Sequence, residues 1–185
     1  MKLNMGCGQR KLPGYLNVDR APECSPDVVC DLEQFPWPWR TDSIETVVFC
    51  HSLEHLGPDL RTFKGIMQEL YRVCRPGATI TIQVPHPRHD DFITDPTHVR
   101  AITADTMALF SRKANEEWRT IGAANTPLGI YWNVDFEIQR VDMALAEPYH
   151  SRMTSGELTH EQIFEFVQQR NNVVKEISIS LTAVK

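Results

Sequence analysis

Residues 2–19 read KLNMGCGQRKLPGYLNVD, and the fold turns on this stretch. A short apolar run, Lys2 to Met5, leads straight into Gly6-Cys7-Gly8, and a second run, Tyr15 to Asp19, ends on an acid. Glycine after a strand lets the backbone turn sharply and approach a ligand closely. An aspartate ending the next strand is placed to accept hydrogen bonds from ribose hydroxyls. A glycine pair alone equally marks a plain turn, so the spacing carries more weight. Only ten residues separate Gly8 from Asp19, with Pro13 and Gly14 among them. A dinucleotide fingerprint has about 20 residues before its acid, enough for a helix whose N-terminus holds a pyrophosphate. No such helix fits here, which weighs against NAD or FAD.

Outward from this stretch, DVVCD (27–31), ETVVFC (45–50) and ATITIQVP (78–85) are further short runs rich in Val and Ile. They read as strands buried on both faces. Leu60, Phe63, Ile66, Met67, Leu70 and Val73 recur at helical spacing, which predicts a helix closed by Pro76-Gly77. Alternating strands and helices predict an α/β fold with a doubly wound, Rossmann-like, mostly parallel sheet. In the second half, Thr103 to about Lys113 reads as helix and Asn133 to Ala146 as a long strand. Thr159 and Gln162 fit a capping box that opens another helix. Val174 to Val184 reads as a strand with Ile177, Ile179 and Leu181 on one face, and the last two strands are expected to pair antiparallel at one edge. No linker divides the chain. One domain over 1–185 is expected, with 2–85 as a cofactor half and 86–185 supplying an acceptor-site loop, helices and the final strands.

The net charge of −5 and pI near 5.8 argue against a broad nucleic-acid surface, which shows as a basic excess. Five cysteines (Cys7, Cys24, Cys30, Cys50, Cys74) are odd in number and lack C-x-x-C spacing. That usage suits reduced thiols in a cytoplasmic protein. No apolar run has the length of a membrane span, and the N-terminus has no signal-peptide core.

LNMGCG, the strand-end Asp19 and Asp31, FPWPWRTDSIETVVF, CHSLEHL and RVCRPGATITI stand in the order found in class I S-adenosylmethionine-dependent methyltransferases. Over residues 2–85 the chain resembles the small type 11 methyltransferase-domain group in particular. The short glycine loop agrees, because S-adenosylmethionine carries no phosphate and needs no helix N-terminus. The resemblance implies a cofactor pocket formed by Met5, Gly6, Cys7, Gly8, Asp19, Arg20, Asp31, Leu32, Cys50 and His51. Asp31 would accept from the adenine amino group beside Leu32. Ala78 departs from the second glycine of the family's PGG, and Trp37 and Trp39 replace smaller residues.

Methyl transfer asks the protein mainly for alignment, worth roughly 7–11 kcal/mol. A base is needed only when the acceptor keeps its proton at neutral pH, and histidine suits that task. His51 ends the fourth run where the methyl group should point, whereas His55 reads as a structural helix residue. The fourth strand lacks Asn-Pro-Pro-Tyr, the mark of enzymes that methylate base amines.

Residues 85–98, PHPRHDDFITDPTH, crowd three histidines and three aspartates together. Three readings compete: a solvated polar loop, an acceptor-binding acid/base loop, and a metal site. The irregular spacing matches no zinc pattern, so no metal is expected. His89 and His98 join His51 as base candidates, with Asp90 or Asp91 orienting one imidazole. His86, Arg88, Asp90, Asp91 and Arg100 are the expected acceptor contacts, the arginines pairing an acidic acceptor or neutralising the aspartates. Trp118, Tyr131 and Trp132 form either a pocket wall or core packing. The expected activity is methyl transfer to a small molecule, such as a sugar or glycan intermediate, without nucleic acid or membrane. Its rivals are a metal-dependent hydrolase using 86–98, a non-catalytic S-adenosylmethionine-binding regulator, and the nicotinamide enzyme already weakened.

Overall fold

The computed structural model describes all 185 residues. Its strands are β1 (Lys2–Met5), β2 (Leu16–Asp19), β3 (Val28–Val29), β4 (Ile44–Cys50), β5 (Cys74–Pro85), β6 (Phe136–Leu145) and β7 (Val174–Ala183). Its helices are α1 (Leu60–Val73), α2 (Asp90–Thr94), α3 (Ala104–Ala108), α4 (Arg112–Ile121), α5 (Leu128–Trp132), α6 (Tyr149–Thr154) and α7 (His160–Gln169). The strands form one sheet in the order β3-β2-β1-β4-β5-β7-β6. β1 to β5 pair in parallel, and β7 runs antiparallel to both β5 and β6. Strands from both halves of the sequence thus share one sheet. No helix is long and apolar enough to cross a membrane.

α1 forms where the periodicity predicts it, because Asp59 caps it by accepting from the Thr62 N–H at 2.9 Å. Phe63, Ile66, Met67, Leu70 and Val73 are its buried face. Its end differs from expectation. The chain turns extended at Cys74, which already pairs with Ile44. Pro76 and Gly77 lie inside β5, where the pairing slips between Ile44 and Thr46. Proline and a left-handed glycine suit such a bulge as well as they suit a helix stop.

The expected helix from Thr103 to Lys113 is two helices. Ser111 breaks the run by capping a new one, its hydroxyl accepting from the Ala114 N–H at 3.0 Å. The capping box at Thr159 and Gln162 forms as expected and opens α7.

Leu3, Val47, Ile80 and Leu181 stand abreast across four strands, as do Met5, Phe49, Ile82 and Ile179. They share one core with the buried face of α1, Phe110 and Trp132. On the alternate positions of β4, β5 and β7 stand Thr46, Thr79 and Thr182, then Val48, Thr81 and Ser180, none of them buried. The expectation of burial on both faces therefore fails there. The connections 6–15, 20–27 and 30–43 carry no α-helix, so nothing long enough exists to cover that face.

Over β1 and β2 a polar network stands in place of the missing helix. Asn4 Nδ2 donates to the Arg10 carbonyl and to Asn17 Oδ1, both at 2.9 Å. Asn17 Oδ1 also accepts from the Leu12 N–H at 2.8 Å, and Asn17 Nδ2 donates to Asp27 Oδ2 at 2.8 Å. Two nearly buried asparagines so tie the loop 7–15 to the sheet and hold its glycines in place.

Candidate functional site

The carboxyl ends of β1, β2 and β4 open onto one cleft of about 340 Å³, where a sheet of this kind holds its ligands. Gly6 turns with φ +65, and a Cβ there would stand 2.6 Å from the Ser52 Cβ. Ser52 cannot retreat, because its Oγ donates to the Met5 carbonyl at 2.7 Å. Gly8, also left-handed, donates its N–H to Asp19 Oδ2 at 2.7 Å, and Ala21 N–H donates to Asp19 Oδ1 at 2.9 Å. Asp19 thus shapes the glycine loop and keeps spare lone pairs on the cleft. Asp31 lies two residues beyond β3, with Oδ1 accepting from the Glu33 N–H at 2.9 Å.

Gly6, Gly8, Asp19, Arg20, Asp31, Leu32 and His51 all line the cleft. Met5, Cys7 and Cys50 do not. Met5 and Cys7 are buried beneath the loop. Cys50 sits on the polar sheet face, where Arg10 Nη1 lies 2.9 Å from its sulfur and Gln83 lies beyond. Burial pushes the thiols of Cys7, Cys30 and Cys50 up, and all five cysteines are free. Cys30, Ser52, His55, Leu56 and Thr97 also line the cleft and were missed. Their one sequence signal is adjacency to Asp31 and His51; Thr97 reaches the site only through tertiary folding.

His51 leaves β4 in a left-handed conformation, φ +52, which turns its ring over the strand ends. Its Nε2 lies 2.7 Å from Glu176 Oε2, and Gln83 Nε2 donates to Glu176 Oε1 at 2.6 Å. A carboxylate accepts, so Nε2 carries a proton and the neutral ring has its lone pair at Nδ1. Glu176 enters from β7, across from Pro85, and sequence spacing gave no hint of it. Glu54 is 0% exposed, and neither carboxylate oxygen has a hydrogen-bond partner. Burial raises its pKa, since desolvation penalises the charge. His55 belongs to a 3-10 turn, Leu53–His55, rather than to the helix expected there, and faces the cleft.

The 85–98 stretch divides in two. Its first half turns towards the C-terminal elements. Arg88 donates to the Gln168 and Arg170 carbonyls at the end of α7, at 3.0 and 2.9 Å. Asp90 N–H donates to Asn172 Oδ1, and Asp91 faces Lys175 at 3.8 Å. His89 caps α2, its Nδ1 accepting from the Asp91 N–H at 3.1 Å, and His86 Nδ1 accepts from the Arg88 N–H at 3.2 Å. Burial lowers the His86 pKa. Arg100 lies 4.0 Å over the Phe63 ring and donates to the Gly57 carbonyl. None of these five expected acceptor contacts lines the cleft; each ties elements together instead. The second half, Asp95 to His98, folds back against His55, whose ring lies 4.6 Å from that of His98. Of the base candidates, His51 alone lines the cleft. Trp132 packs on Phe63 and Phe110 in the core, Tyr131 is exposed, and none of Trp118, Tyr131 and Trp132 lines the cleft.

Among solved structures, the chain is similar to an S-adenosylmethionine-dependent methyltransferase from Archaeoglobus fulgidus, with 16% identity and a TM-score of 0.64, covering 98% of this chain and 85% of that one. A methyltransferase from Methanosarcina mazei gives 14% and 0.57, covering 99% and 92%. A Thermotoga maritima methyltransferase described as a possible histamine N-methyltransferase gives 11% and 0.56, covering 100% and 81%. Likeness at such identities speaks to the fold, and the fold is that of the class I S-adenosylmethionine-dependent methyltransferases. S-adenosylmethionine is the cofactor expected of that fold. No family model and no curated protein matches the sequence, so the narrower type 11 resemblance rests on its motifs.

Proposed function

We propose that the protein transfers a methyl group from S-adenosylmethionine to a small-molecule acceptor within a single domain. The observation that carries this is the lining of the cleft. A left-handed glycine loop, two carboxylates at successive strand ends and Leu32 meet with no clustered cations for a pyrophosphate. That donor set fits an adenosyl group: Asp19 for the ribose hydroxyls, Asp31 for the adenine amino group, Leu32 for the ring face, and the Gly6–Gly8 backbone for the amino-acid end. When bound, S-adenosylmethionine supplies a methyl carbon already activated on a sulfonium.

The chain's residues then align the acceptor and remove its proton. His51 Nδ1 is the acceptor of that proton, while Glu176 holds Nε2–H and stabilises the imidazolium that forms. Gln83 fixes Glu176 in turn. An acceptor with a hydroxyl, such as a sugar or glycan intermediate, is the class that needs this base. The acidic chain favours a small molecule over nucleic acid.

Calorimetric titration with S-adenosylmethionine and S-adenosylhomocysteine tests the reading directly. Binding of both is expected, and Asp19→Ala should weaken it at least tenfold. If neither binds below about 1 mM, roughly −4 kcal/mol, the proposal fails.

A further inference from the structure

We infer that Glu54, His55 and His98 form a site for a divalent transition-metal cation beside the cleft. One nitrogen from each histidine and one Glu54 oxygen lie within 4.8 Å of one another. The backbone builds this meeting. Glu54 and His55 follow the left-handed turn at His51, and His98 arrives from far along the chain. The Val99 and Arg100 N–H groups donate to the Glu54 carbonyl at 2.9 and 3.1 Å, which locks the two segments together.

The second observation is Glu54 itself. Its carboxylate is wholly buried, and neither oxygen meets a donor. The Arg100 guanidinium lies over Phe63 and donates through Nη2 to the Gly57 carbonyl, and its Nε meets no acceptor, Glu54 included. His51 Nδ1 stands 3.7 Å from Glu54 Oε1, too far for a hydrogen bond. Buried carboxylates without a partner are rare unless they ligate a metal or stay neutral.

The third observation is the state of the two rings. His98 Nδ1 lies 2.8 Å from the Phe92 carbonyl, which only accepts, so Nδ1 carries a proton and the neutral ring presents its lone pair at Nε2. Thr97 Oγ1 donates to Asp95 Oδ1 at 2.6 Å and therefore accepts from His55 Nδ1 at 2.9 Å. His55 Nε2 is left with its lone pair too. Metal-ligating histidines are oriented in this way, by giving the other nitrogen's proton to a carbonyl or a carboxylate-backed group. Two imidazoles and one carboxylate suit zinc, manganese, iron or cobalt, and three protein ligands leave positions open. Ligand atoms around zinc stand roughly 3.3 Å apart given its bond lengths, so from separations of at most 4.8 Å occupation draws the ligand atoms together by up to about 1.5 Å.

His55 and Thr97 line the cleft, so an open position would face its occupant. The assigned task, holding an acceptor oxygen near His51, rests on the function proposed above. The site itself does not.

The test is titration of chelator-treated full-length protein with Co²⁺, read by visible absorption, and with Zn²⁺, read by calorimetry. One equivalent should bind, with cobalt bands of a nitrogen–oxygen site. Glu54→Gln and His55→Ala should each weaken binding at least tenfold, while His89→Ala, from the same histidine-rich stretch, should bind like the parent. His55 is the less buried ligand, so its variant keeps the test decisive if Glu54→Gln fails to fold. No binding below about 100 µM, or unchanged binding in both folded variants, overturns the site. Calorimetry of the metal-free protein with S-adenosylhomocysteine separates the two proposals. Nucleoside binding without metal binding removes only the metal site, and the converse removes only the proposed function.

Discussion

Replacing Asn17 by alanine tests whether a polar network truly does the work of the absent helix. The Asn17 amide accepts from Asn4 Nδ2 and the Leu12 N–H, and donates to Asp27 Oδ2 and to the Tyr15 carbonyl. The first three bonds measure 2.8 to 2.9 Å; the Tyr15 contact, at 3.2 Å, adds less. Each good bond contributes about 1 kcal/mol net, and the deletion leaves the Leu12 and Asn4 donors short of a partner. Orphaning the Leu12 N–H costs about 2 kcal/mol and the lost Asn4 bond about 1, so the sum is about 3 kcal/mol with the bond to the solvent-exposed Asp27 discounted. For a domain of this size each kcal/mol moves Tm by about 2–4 °C, so Asn17→Ala should melt roughly 6–12 °C lower. Urea unfolding should give the same loss with an unchanged slope. Amide exchange should show Leu12 losing protection while α1 keeps it. Adenosyl-ligand affinity should fall as well, because the glycines lose their anchor. A loss under about 1 kcal/mol with Leu12 still protected would refute the reasoning.

Other expectations follow from single contacts. Glu176→Gln should lower turnover while leaving S-adenosylhomocysteine affinity near the parent's, since Glu176 touches His51 and not the nucleoside carboxylates; an equal loss in both would remove its orienting role. Gly6→Ala combines a left-handed backbone with a 2.6 Å clash on Ser52, and should lose roughly 2–5 kcal/mol of stability; a neutral result in thermal melts would show that the loop relaxes freely. Burial pushes the Cys74 thiol up to about 12, so alkylation at pH 8 should label it only after unfolding. Hydrogen bonds from the Asn17 backbone and side chain hold the Asp27 carboxyl below its usual range. Its contribution is therefore present above the unfolded value near 4 and is lost as pH falls through the folded one. The stability gap between parent and Asp27→Asn should accordingly close below about pH 4, and a gap that widens in acid would contradict the sign.

Much of the fold was legible because it is written in local patterns. The Val- and Ile-rich runs, the helical spacing of 60–73, and the Thr159 capping box each need only neighbours in sequence. The missing helix after Gly8 was legible from length alone, and with it the case against a pyrophosphate. The strand-end acids Asp19 and Asp31 could be named because parallel strands deliver their last residues to one edge. Helix ends were harder: Pro76-Gly77 looks the same as a stop signal or a bulge until Cys74 finds Ile44. The open sheet face was missed for a related reason. Valine and threonine favour strands whether or not anything covers them.

The sequence by itself determined the strand order's raw material, the phosphate-free cradle and the candidate status of His51. Only the tertiary structure decided which of the crowded histidines and aspartates meet. Arg88, Asp90 and Asp91 bind the C-terminal elements, whereas Asp95, Thr97 and His98 fold onto Glu54 and His55. Residues adjacent in the chain diverge because a short helix, α2, rotates one half of the stretch away from the other. Glu176 reaches His51 because β7 runs antiparallel beside β5, a pairing no local pattern encodes.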